Sequence, residues 1–293
     1  MGYVSVVGFN SCEFHSSKIG KLYFLFPVFF AILVSLVFAQ LVLPAEPYRK
    51  DSLFSFFNYG EMFSPLTLSV TAIATVLILF VFFRMVKTGN EFAMRILVAS
   101  FVVVVSLFTL LIGRLVLVLL GSESQLLLIV LSAVAFTGMF GAFLVLIGVL
   151  SHKARNRLFV ISSGTFGAFV GVLIPTLAVI GILAALSIAD TILILSKSVQ
   201  RIFGEAKYEE LIKKISFSTS EWGIGLGDLI CYSIIASNTS AYFGVYAGGA
   251  SLALILIGAF LTMKLAVKHT RVPGLPIATA LGLLPSITLL IFS

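Results

Sequence analysis

Residues 222–232 read WGIGLGDLICY, and residues 186–195 read LSIADTILIL. Each string sets one aspartate, Asp228 or Asp190, inside a run apolar enough to lie in hydrocarbon. A carboxylate at membrane depth costs about 2.5–3.5 kcal/mol on insertion scales, so such residues are rare and mark functional sites. Whether these two strings belong to membrane helices, and whether they meet, decides the fold and the chemistry together.

The surrounding composition answers the first question. The chain has 293 residues, of which 60% are hydrophobic and 11% charged. Soluble domains run near 45–50% apolar and about 25% charged, so a water-solvated fold is excluded. Nine apolar segments are long enough to cross a bilayer: 22–43, 65–86, 96–120, 125–150, 158–175, 177–196, 223–240, 242–266 and 274–292. The expectation is an all-α integral membrane protein of about nine transmembrane helices. It forms one polytopic domain over 1–293, with spans one to six in 1–196, a cytoplasmic loop at 197–222 and spans seven to nine in 223–293. Pro175 separates spans five and six, because proline has no N–H to continue a helix. The first span is too long for a signal-peptide core and is expected to stay as an anchor. Within the loop, VQRIFGEAKYEELIKKI fits an interfacial amphipathic helix and fits a solvated linker equally well.

Charge gives the orientation. The net charge is +7. With the amino terminus in the cytoplasm, sixteen Lys and Arg residues fall in cytoplasmic segments, and only Arg49 and Lys50 fall outside. Arg114 lies in the third span, near its outer end, where snorkelling to the interface suits it. Positive residues favour the cytoplasmic side, so the N-in, C-out arrangement is expected. The basic balance is then a topology signal, and it gives no reason to invoke nucleic acid. His15, His152 and His269 are scattered, no zinc-binding spacing occurs, and no metal or cofactor is expected. Cys12 and Cys231 fall in different compartments and suggest no disulfide. Cys231 suits a small buried apolar role. The string ISSGTFG at 161–167 carries serines but no base, so serine chemistry is unsupported.

In this topology spans six and seven are antiparallel neighbours. Asp190 lies some seven residues from the cytoplasmic end of one, and Asp228 some six residues into the other. At 1.5 Å per residue both sit about 9–11 Å below the cytoplasmic surface. Two carboxyls held at one level cannot both ionise cheaply and share one proton. One can then take a proton from water while the other protonates a peptide carbonyl. The competing readings are that each aspartate caps or hydrogen-bonds a helix separately, or that the pair couples protons to transport. Inverted-repeat symmetry, the mark of many transporters, is not evident. Gly223, Gly225 and Gly227 let another backbone come close, or serve as ordinary small-residue packing.

These residues resemble a known family. Gly225-Leu226-Gly227-Asp228 matches the Gly-x-Gly-Asp motif of the presenilin and signal peptide peptidase family of intramembrane aspartyl proteases. Pro273-Gly274-Leu275-Pro276 is similar to that family's Pro-Ala-Leu-Pro motif, with Gly274 in place of alanine. Ala189 stands where the family usually has a tyrosine before the first aspartate. Prepilin peptidases share Gly-x-Gly-Asp but usually follow it with lysine, where Leu229 stands here, and they lack the proline motif. The resemblance implies an intramembrane peptidase with Asp190 and Asp228 catalytic, and with 225–227 and 273–276 supporting the substrate. It implies single-span membrane proteins and the lipid bilayer as partners, with a homo-oligomer left open. The cytoplasmic amino terminus matches the presenilin branch, since signal peptide peptidases place theirs outside. The small size and short loops look more like microbial homologues, in a microbial cell membrane. The two prolines are further expected to keep 273–276 out of a helix, leaving Leu275 and its neighbours free to pair with an unwound substrate.

Overall fold

The computed structural model describes residues 3–6, 25–42, 91–119, 125–195, 216–218, 222–268 and 272–292. Eight helices occur there: α1 Leu25–Val42, α2 Glu91–Leu119, α3 Gln125–Ile147, α4 His152–Leu173, α5 Thr176–Leu195, α6 Leu226–Phe243, α7 Val245–Lys268 and α8 Leu275–Phe292. The expected second span, 65–86, and the amphipathic stretch 199–215 lie outside the described residues.

Helix ends follow local chemistry. Gly148 and Gly244 close α3 and α6 at φ 81° and 93°, the left-handed region that a Cβ disfavours. Pro175 ends α4 as expected, and α5 resumes at Thr176. The other end of α4 begins at His152, ahead of the expected 158, because Ser151 caps it. The Ser151 hydroxyl accepts the Ala154 N–H at 3.3 Å, so Lys153, Arg155 and Arg157 ride on the helix.

The distribution of side chains is inverted relative to a water-soluble protein. Phe136 and Phe292 are 72% and 86% exposed, while Ser233, Ser237, Asn238, Thr239 and Ser240 are buried. A protein solvated by lipid tails gains nothing by hiding phenylalanine and gains much by pairing its hydroxyls inside. Helices α7 (over Val245–Ala266) and α8 are each long and apolar enough to cross a bilayer.

Helix α6 is the hub, packing against α1, α4, α5, α7 and α8. Small residues let it be approached. A Cβ at Gly171 of α4 would come within 2.6 Å of the Ile234 carbonyl, and one at Gly167 within 3.0 Å of the Ile230 carbonyl. Polar pairs fasten the same seams. Ser237 donates to the Gly167 carbonyl at 3.0 Å, and Ser35 of α1 donates to the Ser233 carbonyl at 2.7 Å. Such bonds are worth about 0.6 kcal/mol each in membranes, with an upper end near 1.7. The string ISSGTFG therefore lies on a packing face, with Gly164 close against the Ala31 carbonyl and Gly167 against α6.

One element escaped the all-α expectation. Four short strands, β1 Tyr3–Val6, β2 Ser216–Ser218, β3 Trp222–Gly225 and β4 Val272–Pro273, form a sheet in the order β2-β3-β1-β4. Ser216, Phe217 and Ser218 pair with Gly225, Ile224 and Gly223. Ser5 and Val6 pair with Gly223 and Trp222. Tyr3 and Val4 pair with Pro273 and Val272. The described helices agree with the expected all-α membrane class, with this sheet added where α6 and α8 begin.

Candidate active site

Asp190 and Asp228 reach the site by different routes. Helix α5 buries Thr176, Val179, Leu183 and Asp190. Their spacing makes one stripe along the helix, and Asp190 is its last member. The flanking Ile182, Leu186, Ile188 and Ile192 are exposed, so Asp190 faces the protein and its neighbours face lipid.

Asp228 comes in through β3. The apolar run from Trp222 was expected to be helical from 223, about six residues ahead of the aspartate. The chain stays extended through Gly225, which is the N-cap at φ −62°, ψ 139°, and Asp228 sits in the first turn of α6. Pairing of β3 on both sides, with β1 and β2, holds those residues extended. Leu226 and Gly227 form the start of the helix. A carboxylate in the first turn faces free backbone N–H groups and the positive end of the helix dipole.

Both acids converge on Gly274 and Leu275. The Leu275 N–H donates to Asp190 Oδ2 at 3.5 Å. On the other side, a Cβ built at Gly274 would stand 2.6 Å from Asp228 Oδ2 and 3.3 Å from its Cγ. The absence of a side chain at Gly274 thus lets α8 approach, which is the departure from Pro-Ala-Leu-Pro seen in the sequence. Asp190 is 4% exposed and Asp228 0%. Their charges lie within electrostatic reach of one another. Both Asp228 oxygens lack a hydrogen-bond partner of ordinary geometry among the described residues. Pairing with a second acid and with an incoming polar group would meet that need.

The 273–276 stretch differs from expectation in one respect. Pro276 lies within the first turn of α8, where a missing N–H costs nothing. Only Val272–Pro273 stays extended and pairs as β4. Leu275 is buried and gives its N–H to Asp190.

Tyr232 is a site residue that sequence reasoning passed over. Its hydroxyl donates to the Gly274 carbonyl at 2.9 Å. It follows Asp228 by four residues, so one face of α6 carries both. The i+4 spacing was the available signal. Cys231 is buried and free, in line with its expected role as a small core residue. Arg114 falls within α2, on a helix distinct from α5, α6 and α8. Among the described residues, no three His, Cys, Asp or Glu side chains gather as a metal site would require.

The arrangement supplies two adjacent acids, a water-poor setting and extended backbone beside them. That is the equipment of general acid–base hydrolysis. No protein-family model and no curated protein matches the sequence. Solved structures do. One of a presenilin family intramembrane aspartate protease, in space group C222, matches at TM-score 0.56 and 17% identity, covering 94% of this chain and 100% of that one. Another of that description, in space group P2, matches at TM-score 0.54 and 18% identity, covering 95% and 99%. Across nearly its whole length, the chain has the fold of presenilin family intramembrane aspartate proteases.

Proposed function

We propose that this chain is an intramembrane aspartic endopeptidase that hydrolyses peptide bonds within or next to the transmembrane segments of single-span membrane proteins. The observation that carries the reading is the convergence of Asp190 and Asp228, from two different helices, on the backbone at Gly274 and Leu275. In this reading one proton is shared between the two carboxyls. The ionised acid takes a proton from water, whose oxygen attacks the peptide carbonyl carbon. The protonated acid gives its proton to the carbonyl oxygen, leaving a neutral gem-diol. In the collapse the acid that took water's proton gives it to the nitrogen, the other takes a proton back from a gem-diol hydroxyl, the C–N bond breaks, and both acids end as they began. Water exclusion strengthens each of these interactions.

We place the amino terminus in the cytoplasm on the strength of the Lys and Arg asymmetry, and the protein in a microbial cell membrane on the strength of its small size and short loops. Substrates would then enter with their own amino termini outside. Cysteines introduced at 153–157 should be labelled from the cytoplasmic side alone, and labelling from outside inverts the proposal.

The direct test is purified protein in detergent with a model single-span substrate. Asp190→Asn and Asp228→Asn should each abolish cleavage and keep the wild-type thermal unfolding profile. Near wild-type turnover in either variant rejects the two-acid mechanism.

A further inference from the structure

Hydroxyl groups in these helices keep to a pattern, and two near the acids break it. In α2, α4 and α7 the hydroxyls of Thr109, Thr165 and Thr262 donate to the carbonyl four residues back, at 2.8, 2.8 and 2.9 Å. That is the ordinary refuge of a hydroxyl in a span, where water is scarce. Ser187 of α5 and Thr279 of α8 do not take it. Both oxygens are shut off from the surface, and neither bonds any described residue. Two further hydroxyls share that state but lie apart from the acids or have no space beside them. Thr176 is fourteen residues from Asp190, and Ser233 is packed against Gly167.

Ser187 and Thr279 lie at one level. Helix α5 leads back from Asp190 to the corner at Ile174, and α8 leads on from Leu275 to Ser286. Helix α6 meets both far ends, through Asn238 and Thr239. The two helices are therefore antiparallel across one seam, and they touch along it. Ser187 stands three residues before Asp190, and Thr279 four residues after Leu275, whose N–H meets Asp190. At 1.5 Å per residue they are about 4.5 and 6 Å deeper in the bundle than the acids. Both belong to inward faces. Leu183, Ser187 and Asp190 follow one another down the buried stripe of α5. On α8, Ala278 lies against Gly258 of α7 and Ser286 meets Thr239 of α6. Thr279 is buried at the next position round, on the side of α5.

The same neighbourhood holds acceptors in want of a donor. Both Asp228 oxygens are buried without a partner among the described residues. Two hydroxyls and a carboxyl thus lie within about one helical turn of each other, and none bonds another directly. A small molecule with donors and acceptors of its own is what joins such groups. Hydrolysis consumes that molecule at every turnover.

We propose that Ser187 and Thr279 hold a water molecule one helical turn from Asp190 and Asp228, and that this station resupplies the water spent in hydrolysis. The two hydroxyls position water and touch no substrate. The supply role rests on the protease reading above; the water site does not.

The test compares wild type with Thr279→Val, which keeps the shape and loses the hydroxyl, and with Ser187→Ala. Difference infrared spectra in detergent are taken in ordinary and in heavy-oxygen water. Each should contain an O–H stretching band that shifts with the oxygen mass, as a side-chain hydroxyl does not. Cleavage of a model single-span substrate should show kcat about tenfold lower, as for one lost hydrogen bond, with KM unchanged. Thr279→Ser and Ser187→Thr should restore it, and the double variant should lose little more than either single one. Should Thr279→Val or Ser187→Ala fail to fold, Ser187→Cys, which weakens the donor at nearly constant volume, decides by the same two measurements. Spectra with no mass-shifted band overturn the proposal. A shifted band with wild-type kcat overturns the supply role. A wild-type chain that gives the band and never cleaves a single-span substrate rejects the protease reading alone.

Discussion

Helices α3 and α6 are both apolar enough to be read as spans, yet they keep opposite company. Helix α3 is lined with phenylalanine, and Phe136, Phe140 and Phe143 point outward. Helix α6 carries serine, threonine, asparagine and aspartate, and most of its residues are buried. In water the polar helix would be the outer one. In hydrocarbon the order reverses, because lipid solvates phenylalanine as well as protein does, whereas hydroxyls and amides need partners. Polarity within a span therefore marks where helices meet and where chemistry is held.

That contrast can be broken or sharpened at graded positions. The largest effect is expected at Gly274→Ala, where the new methyl would collide with the Asp228 carboxyl. A shift of about 1 Å at reacting groups costs on the order of 100-fold in rate, so kcat for a single-span substrate should fall by about that factor. Unchanged kcat would show that α8 can step back freely. Next comes Gly171→Leu, which drives a side chain into the α6 backbone near Ile234. Overpacking of this kind costs about 1–3 kcal/mol, measurable as a lowered Tm in detergent. The corresponding wedge on the α3 lipid face, Ala133→Leu, should leave Tm alone, and equal losses at both sites would erase the distinction between the two helices.

Tyr232→Phe removes one bond, to the Gly274 carbonyl, and leaves the ring in place. A net loss of about 1 kcal/mol corresponds to about a fivefold fall in kcat with little change in KM. A rise in KM alone would reassign Tyr232 to substrate contact. Smallest of all is Phe140→Leu on α3, exchanging one lipid-solvated side chain for another. Both Tm and activity should stay within error, about 0.5 kcal/mol for such surface changes. The pH profile offers a separate check on the pair. Activity should fall on both sides of an optimum, since neither the doubly protonated nor the doubly ionised pair can work.

Much of this was legible in the sequence because the signals were local. An aspartate in an apolar run is conspicuous wherever its partner lies, and Pro175 announces a break by its own chemistry. The proline motif at 273–276 was equally plain, although its helical half was not, because proline is tolerated in a first turn. The sheet was hidden for the opposite reason. Tyr3 pairs with a residue at the far end of the chain, and strands of two to four residues carry no readable period. The late start of α6 was hidden with it, since WGIG is apolar enough for helix or strand and only its neighbours decide. Asn238 was invisible as an anchor, because one polar residue in a span does not say which helix it faces.

Asn238 sets the angle of a lever. Its amide donates to the carbonyls of Gly171 at 2.7 Å and Ile174 at 2.8 Å, fixing the corner between α4 and α5 to the helix that carries Asp228. From that pivot α5 runs down to Asp190, fourteen residues beyond Thr176, an arm of about 21 Å at 1.5 Å per residue. A rotation of about 3° at the corner would swing the Asp190 carboxyl by about 1 Å along an arc past Asp228. Among the described residues the arm touches α6, α8 and β4 along one narrow stripe, and its other side is exposed. Bilayer thickness and lateral pressure act on its exposed side. Any rotation of α5 about that corner would therefore change the separation of the two acids, although the corner is far from both.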